Sequence, residues 1–381
     1  MHLSDYRSGR HEAQYEYQSF LPEPIHHAWV LSDPQILILN SEADRRLGEL
    51  NAFAQLVPDI DFFISMYVAK EATQSSRIEG TQTNIEDAFK AAEDLNPEAR
   101  DDWNEVQNYI RAINHAILGL ERLPLSNRLL CETHAILMQG VRGEIKGPGA
   151  FRVSQNWIGV SLKNAAFVPP HHDHVPDLMS DMEKFLHDEA VILPPLIRIA
   201  IAHYQFETIH PFLDGNGRLG RLMISLYLAS EKLLAKPALY LSDYFERNKT
   251  AYVDHLMAVR QGNHLGAWLV FFLHGVAETA RASADVFRGI LALKEQIERE
   301  VMPHFSRRRQ ANAHALMRQL YARPVIDVKG VQNLLGTSTN TAAALIDDFV
   351  SHGILTEATG QRRNRLFLFE RYIAMFHRRP E

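Results

Sequence analysis

The chain has almost no cysteine. Cys131 is the only one in 381 residues, so no intrachain disulfide can form, and a reducing cytoplasm is the expected location. Long apolar runs are missing as well. The longest, Ala267–Leu273, falls well short of the roughly 20 residues that a membrane-spanning helix needs. Met1 to Arg7 lacks the apolar stretch of a secretory signal, so no membrane partner is expected. There are no internal repeats and no low-complexity tracts. No Gly-x-x-x-x-Gly-Lys-Ser/Thr occurs, which excludes a P-loop nucleotidase on motif grounds. Nor is there a strong excess of one charge: 40 basic residues face 46 acidic ones, and the net of −6 by itself suggests no nucleic-acid partner.

What is present is ordinary globular composition, with 46% hydrophobic and 23% charged residues, which argues against a largely disordered chain. At about 100–200 residues per domain the length suggests two to three units. The charge is unevenly spread. Residues 301–381 carry 12 basic against 6 acidic side chains, leaving −12 on residues 1–300.

Helical periodicity dominates the body. Residues 1 to about 20 show no clear period and read as an irregular arm. Leu47, Leu50, Phe53 and Leu56 form one apolar stripe, and Phe63, Met66, Tyr67 and Ala69 begin another. Helical patterns continue through Trp103–Leu120, Ser126–Gln139, Val175–Asp188, Leu196–Ile209, Leu219–Glu231, Tyr252–Val259 and Leu265–Arg288. Strands are scarce. Phe151–Ile158 and Ala166–Val168, joined through a Lys163-Asn164 turn and closed by Pro169-Pro170, predict one hairpin on an otherwise helical body.

A boundary falls near Met302–Phe305. Beyond it, helices are expected over Ser306–Ala322, Lys329–Leu335 and Asn340–Ser351, then a β-ribbon around Ile354–Thr356 and Arg365–Phe369. That order is a winged helix-turn-helix pattern over residues 303–381. Thr339 and Thr341 sit where base-edge contacts are usually made, and Arg362, Arg363 and Arg365 on the wing where phosphate contacts are expected. Duplex DNA is therefore the partner expected of this segment, against the alternative of a small docking module with a solvated basic face.

The segment His210-Pro211-Phe212-Leu213-Asp214-Gly215-Asn216-Gly217-Arg218-Leu219-Gly220-Arg221 carries the chemistry. Pro211 ends the preceding helix. Gly215 and Gly217 permit positive φ and close ligand approach, and the loop feeds a helix N-terminus with free amides, an anion site by construction. Arg218 and Arg221, three apart, emerge on one face as two cationic clamps. Asp214 is a hard oxygen ligand suited to Mg²⁺ bridging phosphates. His210 can serve as a general base near neutral pH. Together these describe phosphoryl or nucleotidyl transfer.

This segment resembles the Fic-family signature His-Pro-Phe-x-Asp-Gly-Asn-Gly-Arg-x-x-Arg at every fixed position. The resemblance implies a helical bundle with a β-hairpin flap that transfers AMP from ATP to a Ser, Thr or Tyr hydroxyl of a target protein or of the chain itself. By the same resemblance His210 deprotonates the hydroxyl, Asp214 holds Mg²⁺, and Gly215, Asn216 and Gly217 cradle the α- and β-phosphates. Arg218 assists there, and Arg221 grips the γ-phosphate. Contacts to ATP from Glu207, Thr208, Ile209, Leu219 and Gly220 are implied in the same way. The hairpin at 151–168 looks like the family's flap, on which the target docks as an added strand. Many members have two adjacent tyrosines near the adenine; here the pair reads Tyr252-Val253, leaving Tyr252 as the candidate. The layout this implies is an N-terminal region over 1–105, a catalytic core over 106–292 and the winged unit over 303–381, and the resemblance further implies a homodimer.

Upstream, Ser75-Ser76-Arg77-Ile78-Glu79-Gly80 resembles the family's inhibitory motif, Ser/Thr-x-x-x-Glu-Gly/Asn. Lys70–Ile78 reads as a helix stopped by Gly80 as C-cap. By this resemblance Glu79 pairs with Arg221 and occupies the γ-phosphate's place. Three alternatives share these residues: a toxin-like kinase of the Doc branch, which carries lysine where Gly217 stands; a nucleotide-sensing DNA-binding regulator; and removal of AMP by the same site. His171-His172-Asp173-His174 could suggest a metal site, but adjacent histidines in a strand-exit loop rarely converge on one ion. His203 reads as a satisfied core histidine.

Overall fold

Asp33 accepts hydrogen bonds from the amides of Gln35 and Ile36, and Pro34 presets the first turn, so helix α1 opens there and spans Pro34–Leu56. The computed structural model describes residues 1–57, 60–141, 143–361 and 364–377. Before α1, residues expected to be an irregular arm pair as strands β1 (Gly9–Ala13) and β2 (Gln18–Pro22), in register from Gly9↔Pro22 to Ala13↔Gln18. Their pairing is local, closed by the Gln14 amide on the Tyr17 carbonyl, and β2 also docks at long range. The Phe20 amide donates to the Val168 carbonyl at 2.9 Å, and its ring packs 5.9 Å from Phe167.

Helix α2 (Ile60–Ile78) follows, then α3 (Arg100–Gly119) and α4 (Asn127–Leu137). Strands β3 (Ile158–Gly159) and β4 (Ala165–Phe167) make the expected hairpin, but a far shorter one. Helices α5 (Val175–His187), α6 (Pro195–Ile209) and α7 (Asn216–Ser230) come next. The short α8 (Ser242–Arg247), which has too few residues to show a period, precedes α9 (Lys249–Gly262) and α10 (Leu265–Glu300). Buried Ile290, Leu293 and Ile297 carry α10 past the expected end at Arg288. The fold is mainly helical, as expected.

Helix α6 is the axis. Every residue from Leu196 to Ile209 except Arg198 is buried, which explains why its sequence is apolar on all sides rather than on one stripe. The Trp268 indole on α10 donates to the Ala200 carbonyl at 2.8 Å and ties α10 to this axis. Among the described residues no helix is long and apolar enough to cross a membrane.

The C-terminal residues form α11 (Arg307–Ala322), β5 (Val325–Asp327), α12 (Val328–Leu335), α13 (Thr339–Ser351), β6 (Thr356–Glu357), β7 (Leu366–Leu368) and α14 (Glu370–His377). The sheet runs β5-β7-β6, all antiparallel. Sequence reading missed β5, whose pairing partner lies far along the chain, and α14, a short terminal helix. Arg362 and Arg363 lie outside the described residues. This segment packs on α2: Phe63 lies 4.9 Å from Tyr321 and Tyr67 lies 5.1 Å from Phe376, ring to ring, while the Ser65 hydroxyl donates to the Ala322 carbonyl at 2.7 Å. Replacing the buried Phe376 by alanine is therefore expected to cost about 3–5 kcal/mol of stability, read as a lower denaturant midpoint. An unchanged midpoint would show that this contact contributes nothing.

Candidate active site

Helix α6 ends at Ile209, and His210 turns the chain in a left-handed conformation (φ 51°, ψ 60°) with its amide on the Phe206 carbonyl at 2.9 Å. Phe212 is buried and stacks on His134 with centroids 3.9 Å apart. Asn216 then brackets the loop: its side-chain oxygen accepts from the Phe212 amide and its nitrogen donates to the Phe212 carbonyl, both at 2.8 Å. Gly215 takes φ 74° at the start of α7, where a Cβ would press on Met138 and His134. Amides in the first turn of α7 have no intrahelical acceptor, and they are presented to a cavity of about 670 Å³.

That cavity is lined by Glu79, Glu207, His210, Asp214 to Arg218, Arg221 and Tyr252, with Trp157 and Ile158 of the flap on the opposite wall. Residues far apart in sequence therefore converge. Thr208, Ile209, Leu219 and Gly220 do not line it. They are buried behind it, because helical rotation turns these positions toward the interior. The Thr208 hydroxyl accepts from Arg260 at 3.1 Å, and the Gly220 carbonyl is bonded to His203 at 3.0 Å. His203, bonded on its other nitrogen to the Tyr252 hydroxyl at 2.8 Å, is a fully satisfied core histidine.

Burial, followed by the Arg260 and Arg152 charges, pushes the His210 imidazole down to about 4, so it is uncharged and able to accept a proton at neutral pH. Burial raises the Asp214 carboxyl, but Lys146 and the Gly215 amide outweigh it and hold the group below the usual carboxylate range. One Asp214 oxygen meets the Lys146 ammonium at 2.9 Å and the other accepts from the Gly215 amide at 2.7 Å. A single, partly wetted carboxylate already facing a cation fits Mg²⁺, which binds through few carboxylates and keeps several waters.

The two arginines differ in circumstance. Arg218 is tied to buried Glu105 at 3.1 Å and to the Met138 sulfur at 3.5 Å. Arg221 is held by three bonds from the end of α2: Nε to the Ser75 hydroxyl at 3.0 Å, and Nη2 to the Ser75 carbonyl at 2.9 Å and to Glu79 Oε1 at 2.7 Å. Gly80, at φ 109°, lets the chain turn away directly after Glu79. Glu79 is walled by protein yet wetted through the cavity mouth, with 41% of its side chain accessible against 2% for Arg221. Burial raises the Glu79 carboxyl, but the Arg221 charge more than offsets this and holds it below its ordinary value. A Cβ at Gly217 would collide with Glu79, so this loop position has no room for a side chain while the pair is closed. Glu207, on the cavity floor, is pushed up by burial to about 7.

Sequence reading missed Glu105, Lys146, Arg152, Asn156 and Arg260. Phe151–Trp157, expected as strand, is instead irregular, because Arg152 and Asn156 bond to the His210 turn rather than to a partner strand. Arg152 and Asn156 carry no local signal, because the segment they stand in, Phe-Arg-Val-Ser-Gln-Asn-Trp-Ile, is itself half polar. Arg260 sits over the Phe167 ring at 3.9 Å. His171, His172 and Asp173 do approach one another, with ligand atoms within 4.8 Å, but outside the cavity.

Residues 37–118 match the Fic/DOC family N-terminal model and residues 124–228 the Fic/DOC family model. A protein adenylyltransferase, fic-1 of Caenorhabditis briggsae, is 32% identical over 120 residues, 31% of this chain and 22% of that protein. Protein adenylyltransferase Fic of Drosophila erecta is 32% identical over 130 residues, 34% of this chain and 25% of its own length. The chain thus spans about a quarter of the curated relatives it matches. The solved structure of a Fic family protein from Desulfovibrio desulfuricans G20 superposes with a TM-score of 0.56 at 20% identity, covering 90% of this chain and 98% of that one. A Fic domain containing signaling protein from Bacteroides thetaiotaomicron gives 0.52 at 16% identity, over 67% and 97%. Both likenesses concern the fold. With both family models in place across residues 37–228 and the complete signature at the mouth of α7, this chain belongs to the Fic/DOC family.

Proposed function

We propose that this chain is a protein adenylyltransferase restrained by its own α2. The observation that carries the reading is the convergence of His210, Asp214 and Arg221 with Glu79 on one cavity. A Ser, Thr or Tyr hydroxyl of a protein docked along β3 would attack the α-phosphorus of ATP. The bond from that phosphorus to the bridging oxygen breaks, pyrophosphate leaves, and the hydroxyl proton passes to the His210 imidazole. Amides at Gly215 to Gly217 receive the phosphates, and Arg221 takes the γ-phosphate once Glu79 yields. Asp214 would hold Mg²⁺, which when bound neutralises phosphate charge. Tyr252, which lines the cavity, is the candidate contact to the adenine. Labelling with α-³²P-ATP against γ-³²P-ATP, with mass spectrometry of the chain after Mg-ATP, tests this. Label from α alone supports the reading; label from γ alone makes the chain a kinase, against which Gly217 argues; label from neither overturns it. Removal of AMP, by a water placed at Glu79, would use the same residues.

In the free protein the His210 imidazole is expected to stay neutral from pH 8 to about pH 5 and to gain its proton only near 4. An NMR titration of its ring carbons checks this, and protonation near pH 6.5 would contradict it.

We further propose that residues 303–381 form a winged helix-turn-helix unit that binds duplex DNA. Support comes from the order α11-β5-α12-α13-β6-β7 and from exposed Thr339, Asn340 and Thr341 at the start of α13. Because counterions are released at each phosphate contact, affinity is expected to fall steeply with salt. Fluorescence anisotropy with the full chain checks this, and no affinity at low salt overturns it. A homodimer, carried by the family resemblance alone, is read by sedimentation.

A further inference from the structure

We propose that Arg152 and Asn156, both outside the signature, are positioning residues for AMP transfer. They lock the backbone of the His210 turn to the chain entering the flap, so that a hydroxyl docked on β3 meets the imidazole at one fixed spacing. This rests on the adenylyltransferase reading above.

The contacts are specific. Arg152 is buried, and among the described residues its guanidinium bonds only to carbonyls: Nε to His210 at 2.9 Å, Nη1 to Ser154 at 3.2 Å, and Nη2 to Pro170 at 2.6 Å and Ile209 at 3.3 Å. Its own amide donates to the Pro211 carbonyl at 2.9 Å. The Asn156 side-chain nitrogen donates to His210 at 3.1 Å and to Phe212 at 2.8 Å. Every carbonyl from Ile209 to Phe212 is therefore held by residue 152 or residue 156. A buried guanidinium without a carboxylate is costly to keep, and packing alone would be better served by an apolar side chain.

Two features explain what the clamp does. His210 is a non-glycine residue in left-handed backbone, a conformation that persists only where the surroundings over-determine it; four tethered carbonyls supply that constraint. Two residues beyond Asn156, β3 begins at Ile158, whose side chain lines the cavity beside the exposed Val160. The same short segment thus anchors the base at one end and the docking edge at the other. Displacements near 1 Å between reacting groups can cost about 10²-fold in rate, so slack in this tether falls directly on transfer.

The test uses Asn156→Ala and Arg152→Lys in full chains that also carry Glu79→Gly. Lysine keeps the charge of Arg152 but not its fork, so it separates geometry from electrostatics. Self-modification with α-³²P-ATP at saturating nucleotide is expected to slow about 100-fold in both variants, while the dissociation constant for ATP stays within about threefold. Hydrogen exchange is expected to rise together in peptides covering 157–168 and 209–213, with α9 unchanged. Transfer within twofold of the parent in both variants, or full activity of Arg152→Lys alone, overturns the proposal. So does exchange that rises only at the mutated segment. If the Glu79→Gly parent transfers no AMP, the functional reading fails by itself, and the exchange measurement still decides whether the clamp joins the flap to the turn.

Discussion

AMP transfer is expected to fall by about 10²–10⁴-fold when His210 is replaced by alanine, the usual cost of losing a general base, with ATP affinity nearly unchanged. The separation follows from the geometry. The groups proposed to bind the phosphates are the amides at the start of α7 and the guanidinium of Arg221, and neither is held by the imidazole. The turn itself also survives, because its carbonyls are held from Arg152 and Asn156 rather than by the His210 ring. Rates measured with α-labelled ATP, beside nucleotide affinity by calorimetry, check both halves. Near-normal transfer would remove His210 from its role. Loss of transfer and nucleotide binding together would point to a collapsed loop.

Opening the Glu79–Arg221 contact is expected to act in the opposite direction, with Glu79→Gly raising transfer about tenfold or more. Each 1.4 kcal/mol of relieved competition corresponds to about tenfold. The pair is unlike a sealed one, because Glu79 is wetted from the cavity and its attraction for Arg221 is partly screened. Arg221 itself is buried and stays aimed after Glu79 is gone, since Nε and Nη2 remain on Ser75. The γ-phosphate thus finds a preset guanidinium rather than one that must be reordered. Burial opposes ionisation of Glu79 but the Arg221 charge prevails, so the carboxylate is present at neutral pH and the contact weakens only as acid protonates it. Arg221→Ala is expected not to mimic the activation, because on the proposed reading it removes the inhibitory partner and the γ-phosphate clamp together. The double variant should then resemble Arg221→Ala. Equal transfer by the unmodified chain and Glu79→Gly would make Glu79 an ordinary helix-end glutamate.

The sequence by itself determined the parts of this protein whose chemistry is local. Pro211, Gly215 and the helix-forming run after it specify a helix-turn-helix loop whatever surrounds them, since ring closure and glycine freedom act within a few residues. The end of α2 was equally legible, because Gly80 stops a helix through its own backbone. Helical stripes such as Leu47, Leu50 and Phe53 announced buried faces through their period alone. Tertiary structure decided everything that needed a distant partner. Val325 gains a strand only by meeting Leu368, so β5 could not be seen in its own neighbourhood, whereas Phe20 pairs with nearby His11 and adds a distant bond to Val168. Thr208 and Gly220 carry no mark that separates them from Glu207 and Arg221, and only the packing of α6 on α7 turned the first two inward. Arg152 looked like a residue of a strand. Its guanidinium has five donors and only one of them finds a local acceptor, the Ser154 carbonyl; only the folded chain brings the carbonyls of the His210 turn within its reach.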